Sequence, residues 1–234
     1  MSIRVLDLEF QGRPQCVAAF LIDSGQRPLL VECGPASCRP RLLAALQSHG
    51  VKPTDLQALL VTHIHLDHAG DAGWWAQQGV PVVVHPLGAP HLIDPSKLIV
   101  SAGRIYGDAM ERLWGEILPC PADKVIVADL DASVPLPGQQ ITAWDSPGHA
   151  RHHLAYQIGD ELLCGDVAGV KLPLEGHGEL SSEKPPSAYL SVPAPPPEYE
   201  REVWLATIAK LEKLPVERLF LTHFGPHEQP QQHW

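Results

Sequence analysis

The sequence contains few basic residues and no long apolar run. There are 17 Lys and Arg against 27 Asp and Glu, which gives a net charge of −10 at pH 7. Nucleic-acid binding depends on clustered cations that neutralise phosphates, so this scattered basic content argues against a nucleic-acid partner. No 18 consecutive apolar residues occur, and a membrane-spanning helix is therefore not predicted. We expect a small-molecule substrate, with neither nucleic acid nor membrane as a partner.

Paired cysteines and a serine-nucleophile motif are also missing. The 5 cysteines form no C-x-x-C pair, and G-x-S-x-G does not occur. Residues 1–5 lead into a strand pattern without the apolar stretch of a signal peptide, so we expect reduced thiols in the cytoplasm. Cys33 and Cys164 lie near the candidate site described next, where each is either a soft metal ligand or, more commonly for cysteine, a buried structural residue.

The sequence does contain a dense group of metal-binding side chains in residues 62–70, T-H-I-H-L-D-H-A-G. His63, His65, Asp67 and His68 follow the apolar residues 59–61, which predict a buried strand. A strand that ends in such a cluster brings nitrogen and oxygen donors into one small volume, as a divalent ion such as zinc requires. The pattern therefore predicts a metal site.

Three later donors have the same position after a strand-like run. His149 ends S-P-G-H, Asp166 ends L-L-C-G-D, and His223 ends F-L-T-H. Each one alone has a simpler explanation, because glycine turns and helix caps commonly use such residues. Together with the first cluster they make five His and two Asp. Seven donors exceed the needs of one four-coordinate ion but suit two ions that share a carboxylate.

These motifs, H-x-H-x-D-H, S-P-G-H, G-D and T-H in this order, resemble those of the metallo-β-lactamase superfamily, and the resemblance extends from about residue 5 to residue 223. It implies an α+β fold, a four-layered αββα sandwich with the metals at the edge where the two sheets meet. The most similar branch contains the compact hydrolases related to glyoxalase II and the acyl-homoserine lactonases. The resemblance also implies one metal on His63, His65 and His149, a second on Asp67, His68 and His223, and Asp166 bridging both.

The implied function is that of a metal-dependent hydrolase. Two divalent ions, most often Zn²⁺ with Mn²⁺ or Fe²⁺ as alternatives, lower the pKa of a bridging water and polarise a carbonyl oxygen. The resulting hydroxide would cleave an ester, lactone or thioester of a small molecule, and Asp67 would orient it besides binding metal. Glutathione thioesters are less favoured, because the glyoxalase II branch uses a basic patch in an added helical C-terminal part. β-Lactams are disfavoured, because that branch generally departs from H-x-H-x-D-H.

Two other functions remain open. The persulfide dioxygenases resemble the same motifs but use a single iron, which His63, His149 and Asp166 would hold here. His and carboxylate donors serve iron as well as zinc, so the motifs do not exclude this oxidoreductase. The third hypothesis is a non-catalytic metal-binding protein, although closed structural zinc sites are usually rich in cysteine and lack an open position.

We expect one domain over residues 1–234, with two interruptions that help to form a substrate pocket. Residues 88–118 predict a helical, lid-like insertion whose main helix covers 101–118, with Tyr106 and Trp114 over the pocket. The same apolar stripe equally suits packing on the body of the protein or on a second subunit in a homodimer. The Pro-rich loop at about 172–197 would cross the mouth of the site and bring Tyr189 to it, although a tyrosine packed on prolines is the commoner case.

The remaining elements follow from apolar spacing and breaker residues. Alternating or continuous apolar runs predict strands at 3–10, 15–23, 28–33, 56–62, 81–85 and 218–221. Several short strands are expected between residues 125 and 164. Helical spacing predicts helices at 36–49, 70–78 and 198–214.

Overall fold

Two six-stranded sheets lie at the centre of the computed structural model, which describes residues 1–173, 188–195 and 198–234. The first sheet follows chain order, with three antiparallel strands succeeded by parallel ones. Its strands are β1 (Ser2–Asp7), β2 (Ala18–Asp23), β3 (Leu29–Val31), β4 (Ala58–Leu60), β5 (Val82–Val84) and β6 (Val125–Val127). The first five strands were predicted at these places and are a few residues shorter than predicted, and β6 lies in the region 125–164 where several short strands were expected.

The second sheet contains the later strands, and only one pair in it is parallel. Its members are β7 (Ala132–Ser133), β8 (Ile141–Asp145), β9 (Leu154–Ile158), β10 (Glu161–Gly165), β13 (Arg218–Leu221) and β14 (Gly225–His227). The strand order is β14-β13-β10-β9-β8-β7, with β10 and β13 parallel. A separate antiparallel pair consists of β11 (Val170–Pro173) and β12 (Ala188–Ser191).

Helices lie on the outer faces of both sheets and in the insertion at 88–118. They are α1 (Arg39–Ser48), α2 (Leu66–Ala69), α3 (Ala72–Gln77), α4 (Ala89–Ile93), α5 (Ser96–Tyr106), α6 (Met110–Trp114), α7 (Arg201–Leu211) and α8 (Pro230–His233). In α1, Leu42 and Leu46 are one turn apart and buried against the first sheet. In α7, Trp204 and Leu211 lie two turns apart and pack on the second sheet.

Three apolar layers hold these elements together, as the alternation of side chains along the strands requires. In β4, Leu59 faces the helices while Ala58 and Leu60 face the other sheet. Phe20 and Phe220 meet edge to face between the sheets, with ring centroids 5.7 Å apart. The order helix, sheet, sheet, helix confirms the predicted αββα sandwich.

The insertion at 88–118 is helical as expected, but the prediction of one helix over 101–118 is wrong. Helix α5 begins earlier, at Ser96, and ends at Tyr106, because Gly107 adopts φ +50°, a left-handed conformation that suits glycine. After a short 3₁₀ turn, α6 ends at Trp114 before a second left-handed glycine, Gly115. Residues 115–118 of the predicted helix therefore lie beyond α6.

Part of the predicted Pro-rich loop at about 172–197 falls outside the described residues, namely 174–187 and 196–197. The side chain of Tyr189, in β12, also lies outside the description, so its predicted place in the pocket stays a prediction. Within the described part of the chain, no helix combines the length and apolar character needed to cross a membrane.

Candidate metal centre

All seven predicted donors lie at one edge of the sandwich, where strands of both sheets end. His63 follows β4, His149 lies between β8 and β9, Asp166 follows β10 and His223 follows β13. Backbone hydrogen bonds join the sheets at this edge, because the Thr62 carbonyl accepts from Leu154 N–H at 2.7 Å. Residues far apart in sequence are thereby brought together.

The first group of donors consists of His63, His65 and His149. His65 Nδ1 lies 2.9 Å from His63 Nε2 and 3.0 Å from His149 Nε2. The three ligand nitrogens all lie within 4.8 Å of one another. Three imidazole nitrogens aimed at one point make a set that suits a divalent transition metal.

The second group consists of Asp67, His68 and His223, whose ligand atoms also lie within 4.8 Å of one another. Asp67 Oδ2 is 3.4 Å from His223 Nε2 and 3.9 Å from His68 Nε2. Asp67 and His68 belong to the single turn of α2, which points both side chains inward.

Asp166 lies between the two groups. Its Oδ1 is 3.3 Å from His68 Nε2 and 3.6 Å from His223 Nε2, while its Oδ2 is 3.2 Å from His149 Nε2. One carboxylate oxygen therefore faces each group, an arrangement that suits a ligand shared by two ions.

The protonation of the ring nitrogens follows from their outer partners. His149 Nδ1 lies 2.9 Å from the Pro193 carbonyl, and His223 Nδ1 lies 2.5 Å from the Cys16 carbonyl. A carbonyl only accepts hydrogen bonds, so Nδ1 carries the proton of each neutral ring, and Nε2 of that neutral ring directs a lone pair into the centre. Such outer partners typically hold metal-ligating histidines in orientation.

Glu32 places the proton on Nδ1 in the neutral rings of His63 and His68 as well. The Glu32 carboxylate, 3.0 Å away, accepts from His68 Nδ1–H. The Thr62 hydroxyl also donates its hydrogen bond to the Glu32 carboxylate. The Thr62 oxygen lies 3.0 Å from His63 Nδ1 and therefore accepts a hydrogen bond from His63 Nδ1–H. In their neutral form, four of the five histidines thus have Nε2 free of hydrogen and directed at the centre.

Sequence reasoning missed Glu32, although it borders the strand-end turn with Cys33. It is fully buried, and Thr222 Oγ1 and Thr62 N–H are further donors to it, each at 3.3 Å. Its φ of +63° is unusual for a residue other than glycine and turns the side chain towards the centre. The available signal was a charged residue directly after the buried run Leu29–Val31, where a solvated carboxylate is not expected.

Histidines of the centre have pKa values that are shifted in opposite directions. Burial, together with the neighbouring His68, holds the pKa of His63 well below its ordinary value, and burial with His149 lowers the pKa of His65 to about 4. Burial also opposes charge on His68, but Asp166, Asp67 and Glu32 outweigh it and raise the pKa of His68 well above normal. The pKa of His223 is raised as well, since Asp166 and Asp67 outweigh burial.

The residues present fit a pair of metal ions. His68 Nε2 and Asp166 Oδ1 are buried and have no hydrogen-bond partner among the described residues. Buried polar atoms of this kind are costly unless something else satisfies them. Nitrogen lone pairs and carboxylate oxygens converging on the same volume are the donors that divalent transition metals prefer.

A cavity of about 620 Å³ opens onto the centre. Tyr106 and Trp114 both line it, and their rings meet edge to face with centroids 5.0 Å apart. Trp114 also stacks on Phe10 at 5.5 Å and is 6% exposed, whereas Tyr106 is 38% exposed. The insertion therefore supplies an apolar wall in which Tyr106 is the more accessible ring.

The likeness of this chain to known proteins agrees with that arrangement. A family model described as the metallo-beta-lactamase superfamily matches residues 13–223. The chain belongs to the metallo-β-lactamase superfamily. Within this superfamily, it is similar to the metallo-beta-lactamase fold-containing protein ST1585 of Sulfurisphaera tokodaii, with 30% identity over 118 residues, 49% of this chain and 45% of that protein.

Other superfamily relatives carry a more specific name. Hydroxyacylglutathione hydrolase of Dechloromonas aromatica is 27% identical over 153 residues, which are 63% of this chain and 42% of the relative. The chain thus aligns with less than half of the length of these curated relatives.

Solved structures show the superfamily fold over nearly the whole chain. The crystal structure of ST1585 from Sulfolobus tokodaii has a TM-score of 0.72 at 21% identity, covering 98% of this chain and 82% of that one. TTHA1623, solved in a di-iron-bound form, has a TM-score of 0.62 at 24% identity, covering 91% and 89%. At these identities the likeness concerns the fold.

Neither cysteine near the superfamily motifs belongs to a donor group in the described residues. Cys33 and Cys164 are free and fully buried, and burial raises the pKa of both thiols well above the ordinary value. Cys33 Sγ lies 3.4 Å from the His68 carbonyl, so it packs behind the centre. This placement suits the structural role of a buried thiol.

Proposed function

We propose that this protein is a metal-dependent hydrolase that uses two divalent metal ions, Zn²⁺ in preference to Mn²⁺ or Fe²⁺, to cleave an ester, lactone or thioester of a small molecule. One observation carries the proposal: the two oxygens of Asp166 face two separate donor groups, and both groups open onto one cavity. Membership in the superfamily and the hydroxyacylglutathione hydrolases among the relatives support hydrolysis.

The first ion would bind to His63, His65 and His149, the second to Asp67, His68 and His223, and Asp166 would serve both. Two ions held there supply a water of lowered pKa and polarise a carbonyl oxygen. The protein fixes the orientation of the imidazoles through Glu32, Thr62 and two backbone carbonyls.

Asp67 has a further role in this proposal. Hydrogen bonding and charge from His223 and His68 outweigh burial and hold the pKa of Asp67 well below its ordinary value, so it is ionised. Its side chain remains 30% exposed and lines the cavity. An ionised carboxylate in this position would accept a hydrogen bond from the attacking water and orient it.

The cavity favours a substrate with an apolar acyl part. Leu98, Ala102, Ile105 and Tyr106 line one wall, and Pro193 and Pro195 line another. We further propose that residues 1–234 act as one unit, since each donor group takes ligands from loops of both sheets. The persulfide dioxygenase and the non-catalytic binder are the competing hypotheses.

Metal content and turnover test the proposal together. The purified protein should contain about two metal ions per chain by inductively coupled plasma mass spectrometry and should hydrolyse members of a panel of esters, lactones and thioesters. His63→Ala and Asp166→Ala should abolish both metal loading and hydrolysis. His49→Ala, an exposed histidine after α1, is the matched control and should change neither.

Three outcomes would contradict the proposal. Full activity in His63→Ala or Asp166→Ala would refute the site. One iron per chain with oxygen uptake on a persulfide would support the dioxygenase instead. Stoichiometric metal without turnover on the whole panel would support the non-catalytic binder.

A further inference from the structure

His153 is a fully buried histidine outside both donor groups, and it is the last residue before β9. The backbone N–H of Asp166 donates a hydrogen bond to His153 Nε2 at 3.1 Å. Because Nε2 accepts this bond, the ring is neutral and carries its proton on Nδ1, which donates to Ser146 Oγ at 2.8 Å. One imidazole therefore connects the loop of the S-P-G-H motif to the turn that contains Asp166.

These contacts distinguish His153 from the candidate metal-binding histidines beside it. Its ring lies next to that of His63, with centroids 4.9 Å apart and planes inclined by 32°. In neutral His63 the Nε2 lone pair faces the centre, whereas in His153 the same atom is occupied by the Asp166 N–H. His153 thus has no lone pair left for an ion, and its partners are protein groups at both nitrogens of the ring.

The turn before Asp166 is shaped around the same contact. Gly165 has a left-handed φ of +53°, and a Cβ on it would lie 2.7 Å from His153 Nε2 and 2.5 Å from Thr62 Oγ1. Glycine therefore allows the backbone to approach both side chains closely. This approach fixes the Asp166 backbone, from which one carboxylate oxygen extends towards each donor group.

A displaced Asp166 backbone would affect both donor groups at once. The two oxygens that face these groups belong to one carboxylate, so a shift of Asp166 changes both sets of distances together. Without its acceptor, the N–H of this buried residue would be unsatisfied, which is costly enough for the turn to move towards another partner. The Ser146 contact has a different effect, because it holds the His153 ring and its loop but not the carboxylate.

We propose that His153 is a positioning residue that keeps the Asp166 carboxylate directed at both donor groups through the hydrogen bond at its Nε2. The inference rests on the proposed two-metal function and deepens it, since it names the group that orients the shared ligand. Losing the Nε2 acceptor should weaken the ligand that the two ions share while leaving the other six donors in place.

Two substitutions at position 153 separate its two hydrogen bonds. The side-chain oxygen of His153→Gln can occupy roughly the place of Nε2 and accept from Asp166, whereas the shorter amide of His153→Asn reaches only the place of Nδ1, next to Ser146. Each variant retains one partner, so a role in stability alone would affect both alike. Tyr156→Phe removes a buried hydrogen bond to the Val61 carbonyl elsewhere on β9 and is the matched control.

The assay uses protein loaded with Mn²⁺, because electron paramagnetic resonance distinguishes two ions coupled through a shared ligand from isolated ions. Wild type, Tyr156→Phe and His153→Gln should bind about two Mn²⁺ per chain and give the coupled signal. His153→Asn should bind one of the ions at least about tenfold more weakly and give the signal of isolated Mn²⁺. Urea unfolding of the metal-free proteins measures the loss of stability, which should be similar in the two His153 variants.

A coupled signal with wild-type affinity in His153→Asn would refute the role of His153, and so would equal losses in His153→Asn and His153→Gln. If His153→Asn does not fold, nitrogen NMR of histidine-labelled, Zn²⁺-loaded wild type decides instead. It should show His153 protonated on Nδ1, and a proton on Nε2 would refute the acceptor.

Failure of the proposed function gives different results. One Mn²⁺ per chain in wild type would overturn the two-metal function and this inference with it. If the variants behave as expected but no ester, lactone or thioester is hydrolysed, the positioning role of His153 stands and only the hydrolase proposal is wrong.

Discussion

Glu32→Gln is the most informative single change, because Glu32 orients His68 directly and His63 through Thr62. In the wild type, Oε1 accepts from His68, Thr62 and Thr222, and Oε2 accepts from Thr62 N–H. A glutamine keeps the shape, and its carbonyl oxygen can replace Oε1. Its amide nitrogen then faces the backbone N–H of Thr62, donor against donor.

The magnitude follows from these contacts. Leaving a buried N–H unsatisfied costs about 1–3 kcal/mol, and the bond from His68 loses its charge assistance. Removing partners that orient metal-ligating histidines typically weakens metal binding by about 10–100-fold. That corresponds to roughly 1.4–2.7 kcal/mol of binding free energy. We expect losses in both folding stability and zinc affinity.

The assay needs a control that separates those two losses. Glu161→Gln removes another buried carboxylate, which pairs with Arg218 at the opposite end of β10 from Asp166. Zinc affinity is measured by competition with a chromophoric chelator, and stability by urea unfolding of the metal-free proteins. Glu161→Gln should lose stability only. If Glu32→Gln loses stability but binds zinc as tightly as wild type, the orienting role of Glu32 is wrong.

Three further predictions follow. Tyr106→Ala should raise KM or lower kcat with metal content unchanged, and unaltered kinetics would contradict the role of the insertion as a lid. Trp114→Ala should have the same effect and should also destabilise the protein by about 3–5 kcal/mol, because the Trp114 ring is buried. Zinc binding at pH 7 should release protons from His68 and His223, because their pKa values are raised, so zinc affinity should increase with pH. Calorimetry in buffers of different ionisation enthalpy measures the number of protons released. Zinc binding without proton release would refute this prediction. Ile99 and Ile105 of α5 are exposed, so we still predict a homodimer that buries this face. Light scattering should find a dimer, and Ile105→Lys should dissociate it. A monomeric wild type would contradict this prediction.

The insertion shows one limit of reading structure from sequence. Apolar spacing predicted helix around 101–118, and the region is helical, but the break at Gly107 was not predicted. An isolated glycine is compatible with a helix and with its end, and its neighbours decide which occurs. Here the break lets α6 fold back so that Trp114 lies between Phe10 and Tyr106.

The candidate donors could be predicted from local patterns, and the fold from the resemblance of their motifs to a known superfamily. Apolar runs that end in His or Asp predict strands with donors at their ends, and the αββα sandwich that the motifs imply brings such ends to one edge. The motifs H-x-H-x-D-H, S-P-G-H, G-D and T-H therefore predicted all seven candidate donors of the centre.

The partners of those donors depend on the tertiary structure alone. Glu32 is distant in sequence from His68, and Pro193 from His149, so no local spacing connects either pair. Which ring nitrogen carries the proton of a neutral ring is set by a carbonyl or carboxylate brought from a distant part of the chain, as with Cys16 for His223 and Glu32 for His68. Local sequence sets which donors stand at the strand ends, while burial and long-range hydrogen bonds decide which atom of each donor faces the centre.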